Sequence, residues 1–314
     1  MSRRQGVIEA PDPLALAADG LSHRERGLWS DAWRRLTHNR LAMIGLAVLC
    51  SVAILAFVGS TAGPTGRYSA DDQSTAKQAA PELDHWFGTD QLGRDLFARV
   101  LEGVRISLQI GIGAELVILI VGIAVGGAAA LGGRVGNNIL MRFTDVIYAF
   151  PDLLFIILLR SVLTGRDLPI VTSPRLIVIF AIGLVNWTTT ARLVRGQMLS
   201  LATRDFVIAA HALGATRTRI VMQHMLPNTL GPIIVAATFG IPAAIFAEAA
   251  LSFIGLGVPP PASSLGSLVS AGYAVIQRNV WNVVFPAGAI AVLMLCFTFI
   301  GDGLRDALDP RTRG

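Results

Sequence analysis

Six long runs of apolar residues limit what this chain can fold into. They cover residues 41–58, 106–133, 143–159, 176–191, 225–247 and 280–301, and four of the six contain no charged residue. A helix needs about 20 mostly apolar residues to cross a hydrocarbon core, and inside lipid it satisfies its own backbone polar groups. The runs lack the apolar–polar alternation of membrane β-strands. We therefore expect an all-α, polytopic membrane protein with six transmembrane helices.

Composition and the distribution of charge agree with this class. Only 15% of the 314 residues are charged, whereas a soluble protein carries about 25%. The net charge of +5 does not indicate nucleic-acid binding, because the arginines flank the apolar runs. The loop between the fourth and fifth runs holds five arginines, whereas the next loop holds only Arg278. The positive-inside rule then predicts that both termini are cytoplasmic.

The order of polar and apolar segments suggests five regions. The first 40 residues lack the apolar core of a signal peptide. Trp29, Trp33 and Leu36 have the spacing of one helical face, which predicts an interfacial helix before the first run. The predicted regions are a disordered cytoplasmic amino terminus (1–28), the interfacial and first transmembrane helices (29–60), an ordered extracytoplasmic loop (61–104), a core of five transmembrane helices (105–304) and a cytoplasmic carboxyl terminus (305–314).

Several kinds of catalytic or cofactor site are missing from the sequence. The single lysine, Lys77, precedes Gln78, so the chain has no phosphate-binding Gly-Lys-Ser/Thr motif. No His-Glu-x-x-His motif is present, and all five histidines lie outside the apolar runs. Cys50 and Cys296 fall within apolar runs, where small apolar fillers are expected rather than a disulfide. We expect no enzymatic activity, no metal site and no cofactor on this chain.

Acidic residues within or directly beside the apolar runs are candidates for a polar pathway, because ionisable groups are costly in lipid. Each of these acidic residues could instead have a structural role. Asp145 could pair with Arg142 three residues earlier, and Asp152 could satisfy backbone groups at a kink after Pro151. A carrier driven by an ion gradient would usually have more ionisable residues within its transmembrane helices. The candidates are Glu115, Asp145, Asp152 and Glu248, the last of which could instead hold helices together.

The loop at residues 204–228 is basic and amphipathic, and it lies between two apolar runs. In a helix, five residues share one mostly small face that another surface could approach closely: Phe206, Ala209, Ala210, Leu213 and Gly214. Gly214 is expected to end a first helix, and Pro227 to end a second one near the membrane. The alternative is an amphipathic helix lying on lipid headgroups. The candidate docking residues are Asp205, Phe206, Ala209, Ala210, His211, Leu213, Gly214, Ala215, Arg217, Arg219, Leu226 and Pro227.

This loop resembles a known family signature. Ala209-Ala210, Gly214 and Leu226-Pro227 are similar to the EAA loop of permease subunits of bacterial binding-protein-dependent ABC importers. The sequence departs from that pattern at two positions. Ile208 stands where the family has a glutamate, and His224 where it has an aliphatic residue.

Four further stretches resemble the C-type permeases of dipeptide and oligopeptide importers. They are Trp33-Arg34-Arg35-Leu36 with Asn39-Arg40-Leu41-Ala42, residues 85–95, Asp145 with Ala149-Phe150-Pro151, and residues 248–258. Leu265-Gly266 replaces a Trp-Gly that is usual in the family. The resemblance extends from about residue 29 to residue 310 and keeps the order of the motifs.

The resemblance implies a type I ABC importer fold that works by alternating access. Loop 204–228 would then be the coupling helix that docks on cytoplasmic ATP-binding subunits, which hold ATP and Mg²⁺. The other implied partners are a homologous B-type permease, an extracytoplasmic substrate-binding protein and the lipid membrane, with no nucleic acid. Two alternatives remain: a permease of the same family for nickel, glutathione or another small solute, and a stand-alone ion-driven secondary transporter.

Overall fold

The computed structural model describes residues 28–62, 68–164 and 173–308, and nearly all of its regular structure is helical. The only β-pairing among these residues is two isolated bridges, which join Gln73 to Arg94 and Thr89 to Asp95. The disordered terminus predicted for residues 1–28 lies outside the described residues except for Leu28. Residues 309–314 of the predicted carboxyl-terminal region also lie outside them.

Long apolar helices form most of the structure. The helices are α1 (Leu28–His38), α2 (Arg40–Ala62), α3 (Leu96–Leu131), α4 (Gly133–Tyr148), α5 (Asp152–Thr164), α6 (Pro174–Leu201), α7 (Asp205–Ala212), α8 (Arg217–Ile220), α9 (Leu226–Phe253), α10 (Leu265–Tyr273) and α11 (Trp281–Leu308). A π-helical turn, Val221–Met225, joins α8 to α9. Among the described residues, five elements are long and apolar enough to cross a membrane: α2, α3, α6, α8 with α9, and α11.

The third apolar run is broken, in contrast to the other five. It forms α4 and α5, which meet at an angle of 93°. Pro151 lies at the break, because it cannot donate a backbone hydrogen bond and its ring disfavours a continuous helix. The backbone N–H of Phe155 donates to Pro151 O at 3.0 Å and so begins the second helix of the pair.

The directions of the helices show that this bent pair makes one crossing. Arg175, at the start of α6, donates to Gln109 Oε1 in the first half of α3 at 3.2 Å. Near the far ends of the same helices, Gly126 lies against Val194. The two helices are therefore parallel, so the chain between them has to return to the end where α3 began. Counting α4 and α5 as that return gives the six crossings expected from the sequence.

Loops at the two ends of α9 mark opposite ends of the bundle. Residues 68–95 contact the elements that follow α9, because Gln91 Nε2 donates to Ala271 O at 3.0 Å and Asn279 Nδ2 to Ala79 O at 3.2 Å. Residues 204–216 lie at the amino end of α9. A helix of 28 residues is about 40 Å long, so these loops are a membrane thickness apart. We name them the outer and inner ends.

Helix α3 lies at the centre of the bundle, where close approach depends on glycine. A Cβ built on Gly126 would lie 2.6 Å from Ala191 O of α6, and one built on Gly111 would lie 2.6 Å from Ile245 Cγ1 of α9. Small residues at helix crossings allow the backbones to pack closely where water supplies no hydrophobic driving force. These contacts hold α6 and α9 close against α3.

Helix α1 packs against the inner end of the bundle. Ala32 and Leu36 are buried in a cluster with Ala42 and Ala307, whereas the side chain of Trp33 is 60% exposed. The sequence predicts that Trp33 and Leu36 share a face, but Leu36 packs against the protein and Trp33 is exposed. The exposed indole is suited to the membrane interface, where aromatic rings are enriched.

A pair of neighbouring glycines tests the close packing of α3. Gly126→Ala should lower the stability of the folded bundle by about 1–3 kcal/mol, because the new methyl group overlaps the backbone of α6. Gly127→Ala is the matched control, since its Cβ would meet only Met198 Cε at 3.8 Å. Thermal unfolding in detergent should give a lower midpoint for Gly126→Ala than for Gly127→Ala. Equal midpoints would refute the packing.

Candidate functional site

The inner loop is a compact turn between two helices. Helix α7 ends in a Schellman motif, in which Ala215 N donates to Ala210 O at 3.1 Å and Gly214 N to His211 O at 3.0 Å. Gly214 has a φ of +81°, a left-handed conformation that costs glycine little. Thr216 Oγ1 then accepts from Arg219 N at 3.3 Å and caps α8. Gly214 thus ends the first helix, as the sequence predicts.

Apolar side chains fix this turn to the inner ends of two long helices. Val207 of α7 and Ile220 of α8 are buried in one cluster with Val194 and Met198 of α6 and Ile233 of α9. Ala210, Ala215 and Leu226, which were predicted to form part of the docking face, instead pack against this cluster. A displacement of the turn would therefore be transmitted to α6 and α9 together.

The opposite side of the turn is an exposed surface of apolar and basic residues. Leu213 is 89% exposed, and Phe206 and Ile208 are 42% and 56% exposed. We call this surface the inner-loop face; its exposed residues include Asp205, Phe206, Ile208, Ala209, His211, Leu213, Gly214, Arg217 and Arg219. Ile208, where the resembled family has a glutamate, contributes apolar area to it.

The prediction that Pro227 ends the second helix is wrong. Pro227 is exposed and lies in the first turn of α9, and the helical backbone runs continuously from Arg217 to Phe253. A π-helical turn precedes it, in which Leu226 N donates to Val221 O five residues earlier. This wider turn accommodates the proline, which lacks the backbone donor that an α-helical bond requires.

Glu248 is held in a network of serine hydroxyls. It is fully buried on α9; Ser252 Oγ donates to Glu248 Oε1 at 2.6 Å, and Ser107 Oγ of α3 donates to Oε2 at 3.2 Å. Ser107 Oγ also accepts from Leu265 N at 3.2 Å, at the start of α10. Both carboxylate oxygens are satisfied where α3, α9 and α10 meet. This geometry favours the structural alternative for Glu248.

The two aspartates of the broken span lie on exposed surfaces. Asp145 Oδ1 accepts from Arg192 Nη2 of α6 at 2.8 Å, so its described partner is Arg192 and not Arg142. The guanidinium of Arg192 also stacks on Tyr148, with its Cζ 4.1 Å from the ring centroid. Asp152 is exposed in the first turn of α5, where a negative charge interacts favourably with the helix dipole.

Glu115 lines a cavity near the middle of the bundle. The cavity has a volume of about 300 Å³ and lies between α3, α6 and α9. The Glu115 side chain rests against Gly240 of α9, where a Cβ would overlap the carboxylate. Asn186, Thr189 and Thr190 of α6 contribute polar groups to the wall. Of the four predicted intramembrane acids, only Glu115 is both buried and lacking a partner for one oxygen among the described residues.

Two features of this region were not predicted from the sequence. Helix α10 begins after Ser264, whose hydroxyl accepts from Ser267 N at 3.2 Å, and an N-cap serine followed by Leu265 and Leu268 could have indicated it. The cavity wall has a weaker signal, the polar triplet at residues 188–190 within an apolar run. Within the described ranges, no group of three or more His, Cys, Asp or Glu side chains could hold a metal ion.

Two family models match the chain. The model described as "Binding-protein-dependent transport system inner membrane component" matches residues 118–314, more than half of the sequence. The model described as "N-terminal TM domain of oligopeptide transport permease C" matches residues 27–81. The first match covers the inner loop and the cavity wall except for Glu115, and the second covers α1, α2 and the beginning of the outer loop.

Curated relatives align over almost their full lengths. The oligopeptide transport system permease protein OppC of Bacillus subtilis is 39% identical over 94% of both chains. The dipeptide transport system permease protein DppC of the same organism is 42% identical over 94% of this chain and 90% of its own. OppC of Escherichia coli K12 is 42% identical over 92% of this chain and 93% of its own.

Solved structures support the same fold at lower identity. An inward-facing structure of the MetNI methionine ABC transporter matches 68% of this chain and 98% of its own, with a TM-score of 0.53 and 19% identity. A crystal structure of an amino acid ABC transporter with histidines matches 67% of this chain with a TM-score of 0.53. The expected all-α, type I importer fold is thus confirmed, and the chain belongs to the family of binding-protein-dependent transport system inner membrane components.

Proposed function

We propose that this chain is the permease subunit of an ABC importer that moves dipeptides or oligopeptides across the bacterial cytoplasmic membrane. The observation that carries the proposal is 39–42% identity to peptide-transport permeases over more than 90% of the chain. The family consists of transport components, which agrees with a chain whose only lysine does not belong to a P-loop. ATP and Mg²⁺ are then bound by separate cytoplasmic subunits.

The inner-loop face is the proposed docking surface for those ATP-binding subunits. Its exposed apolar residues offer contact area, and Arg217 and Arg219 add positive charge. Because Val207 and Ile220 are buried against the inner ends of α6 and α9, movement of a docked subunit would displace both helices. Alternating access follows if α6 and α9 move relative to a second, homologous permease of the B type.

An extracytoplasmic substrate-binding protein would deliver cargo to the outer end. Residues 68–95 form a hydrogen-bonded cap there, in which Asp95 Oδ1 accepts from Ala98 N at 2.8 Å and Asp95 Oδ2 lies 2.9 Å from His85 Nδ1. These bonds fix the loop to the start of α3. The exposed side chains of Leu83 and Trp86 offer a contact surface at this end.

Uptake of a labelled peptide tests the proposed cargo. Cells that contain this permease with its partner subunits should accumulate a radiolabelled dipeptide or oligopeptide, and cells without the permease should not. An excess of unlabelled peptide should compete, whereas nickel and glutathione should not. Competition by nickel or glutathione, with none by peptides, would assign the transporter to another small solute.

The coupling role predicts a selective effect at Leu213. Leu213→Asp should abolish copurification of the ATP-binding subunits and reduce uptake at least tenfold, because a charge replaces the most exposed apolar side chain of the inner-loop face. Membrane insertion should be unchanged, since a side chain that is 89% exposed makes little contribution to folding.

Leu83→Asp is the matched control, because Leu83 is 90% exposed at the opposite end of the bundle. It should leave copurification of the ATP-binding subunits at the level of the unaltered protein. If Leu213→Asp also retained those subunits and full uptake, the docking assignment would be wrong. That result would favour a loop that rests on lipid headgroups.

The proposed orientation can be tested with single cysteines. In a Cys50→Ala, Cys296→Ala background, Leu83→Cys should react with a membrane-impermeant maleimide added to spheroplasts. Leu213→Cys should react only after permeabilisation, because cytoplasmic termini place the inner loop on the same side. The reverse pattern would contradict the proposed orientation.

A further inference from the structure

Glu115 occupies a position that the coupling mechanism does not explain. It lies near the middle of α3, and its neighbours Asn186 and Gly240 lie near the middle of α6 and α9. Its side chain is 4% exposed, and Oε2 has no hydrogen-bond partner among the described residues. A buried carboxylate without partners is costly, so a residue of this kind in a membrane is a candidate for binding a transported species.

The chemistry of the cavity wall limits what could bind there. The residues that line it include no lysine, arginine or histidine, so no described cation of the chain neutralises Glu115. Asn186 Nδ2 donates to Ile182 O at 3.0 Å, which leaves the Asn186 amide oxygen as an acceptor. Together with the hydroxyl of Thr189, the wall therefore presents one carboxylate and neutral oxygen acceptors. Such a set suits a cationic group with several N–H donors.

The opening of the cavity indicates its route of access. Thr189 of α6 and Ala243 of α9 both line the cavity and are exposed on the surface of the chain. Lipid at this opening would meet a buried carboxylate and two threonines at the middle of the bilayer, which is unfavourable. The opening therefore suits a water-filled path beside a second protein subunit.

The size of the cavity is suited to one end of a cargo molecule. Its volume of about 300 Å³ is at the lower limit for a small-molecule pocket. A primary ammonium group has three N–H donors, which match the acceptors of Glu115, Asn186 and Thr189.

From these observations we propose that the Glu115 cavity binds the ammonium group of the transported peptide midway across the membrane. This inference rests on the proposed function, because it assumes that the cargo carries a free amino group. Gly240 is a positioning residue here, since any larger residue would displace the Glu115 carboxylate from its position against α9.

Charged thiol reagents test the cavity without any transport assay. Thr189→Cys, in a Cys50→Ala, Cys296→Ala background of the assembled importer, should react faster with the cationic ethylammonium methanethiosulfonate than with the anionic ethylsulfonate reagent. Adding Glu115→Gln should lower the ratio of the two rates by about threefold or more, because it removes the negative charge. Glu248→Gln, the matched control, should leave the ratio unchanged, since Glu248 does not line the cavity and its carboxylate is enclosed by serine hydroxyls at another helix crossing.

Two outcomes of the labelling would overturn the inference. If Thr189→Cys reacted with neither reagent, the opening would face lipid and no cargo could enter. If it reacted but Glu115→Gln left the ratio unchanged, the cavity would have no preference for cations. A ratio that falls with Glu115→Gln but not with Glu248→Gln supports the site.

Peptide uptake distinguishes a failure of the Glu115 site from a failure of the proposed function. In proteoliposomes, Glu115→Gln should lower the number of peptides moved per ATP hydrolysed at least tenfold, because an N–H donor of the amide faces the ammonium group. If the unaltered importer moved no peptide while the labelling kept its cation preference, the proposed peptide cargo would be wrong. Normal peptide yield per ATP in Glu115→Gln would refute the Glu115 site alone.

Discussion

The close packing of α3 against both α6 and α9 holds the bundle together. Glycines make the approach possible: Gly126 lies against Ala191 and Val194, and Gly111 lies against Ile245. In lipid, van der Waals packing has to hold helices together, and a larger side chain at these points would separate them. The parallel course of α3 and α6 then forces the chain between them to return across the bundle.

The residues at these helix crossings determine whether each buried glutamate finds a hydrogen-bond partner. Glu248 lies where three helices meet, and the nearby serines satisfy both of its oxygens, so it holds α10 against α3 and α9. Glu115 is about two turns further along α3 than Ser107, where α9 contributes a glycine instead of a serine. The glycine provides space but no hydrogen-bond donor, which leaves that carboxylate facing the cavity. Neighbouring side chains therefore explain why both oxygens of Glu248 are hydrogen-bonded and Oε2 of Glu115 is not.

Much of the fold could be predicted from local sequence. Six apolar runs predict six crossings because a chain in lipid has few ways to satisfy its backbone, and Gly214 predicts a helix end because a left-handed residue favours glycine. The prediction for Pro227 was wrong because a proline can stand in the first turn of a helix as well as after its end. A π-helical turn made the first-turn position possible, and no local sequence signal distinguished the two.

Length, hydropathy and turn residues act locally, so the sequence alone predicts the class of protein, the number of crossings and the position of the inner loop. How the polar residues are partnered is a property of the tertiary structure. It paired Asp145 with Arg192 across two helices, divided the inner loop into a buried side and an exposed face, and left Glu115 without a partner for one oxygen among the described residues. The physical reason is that the partner of a buried polar group is contributed by another helix, far away in the chain.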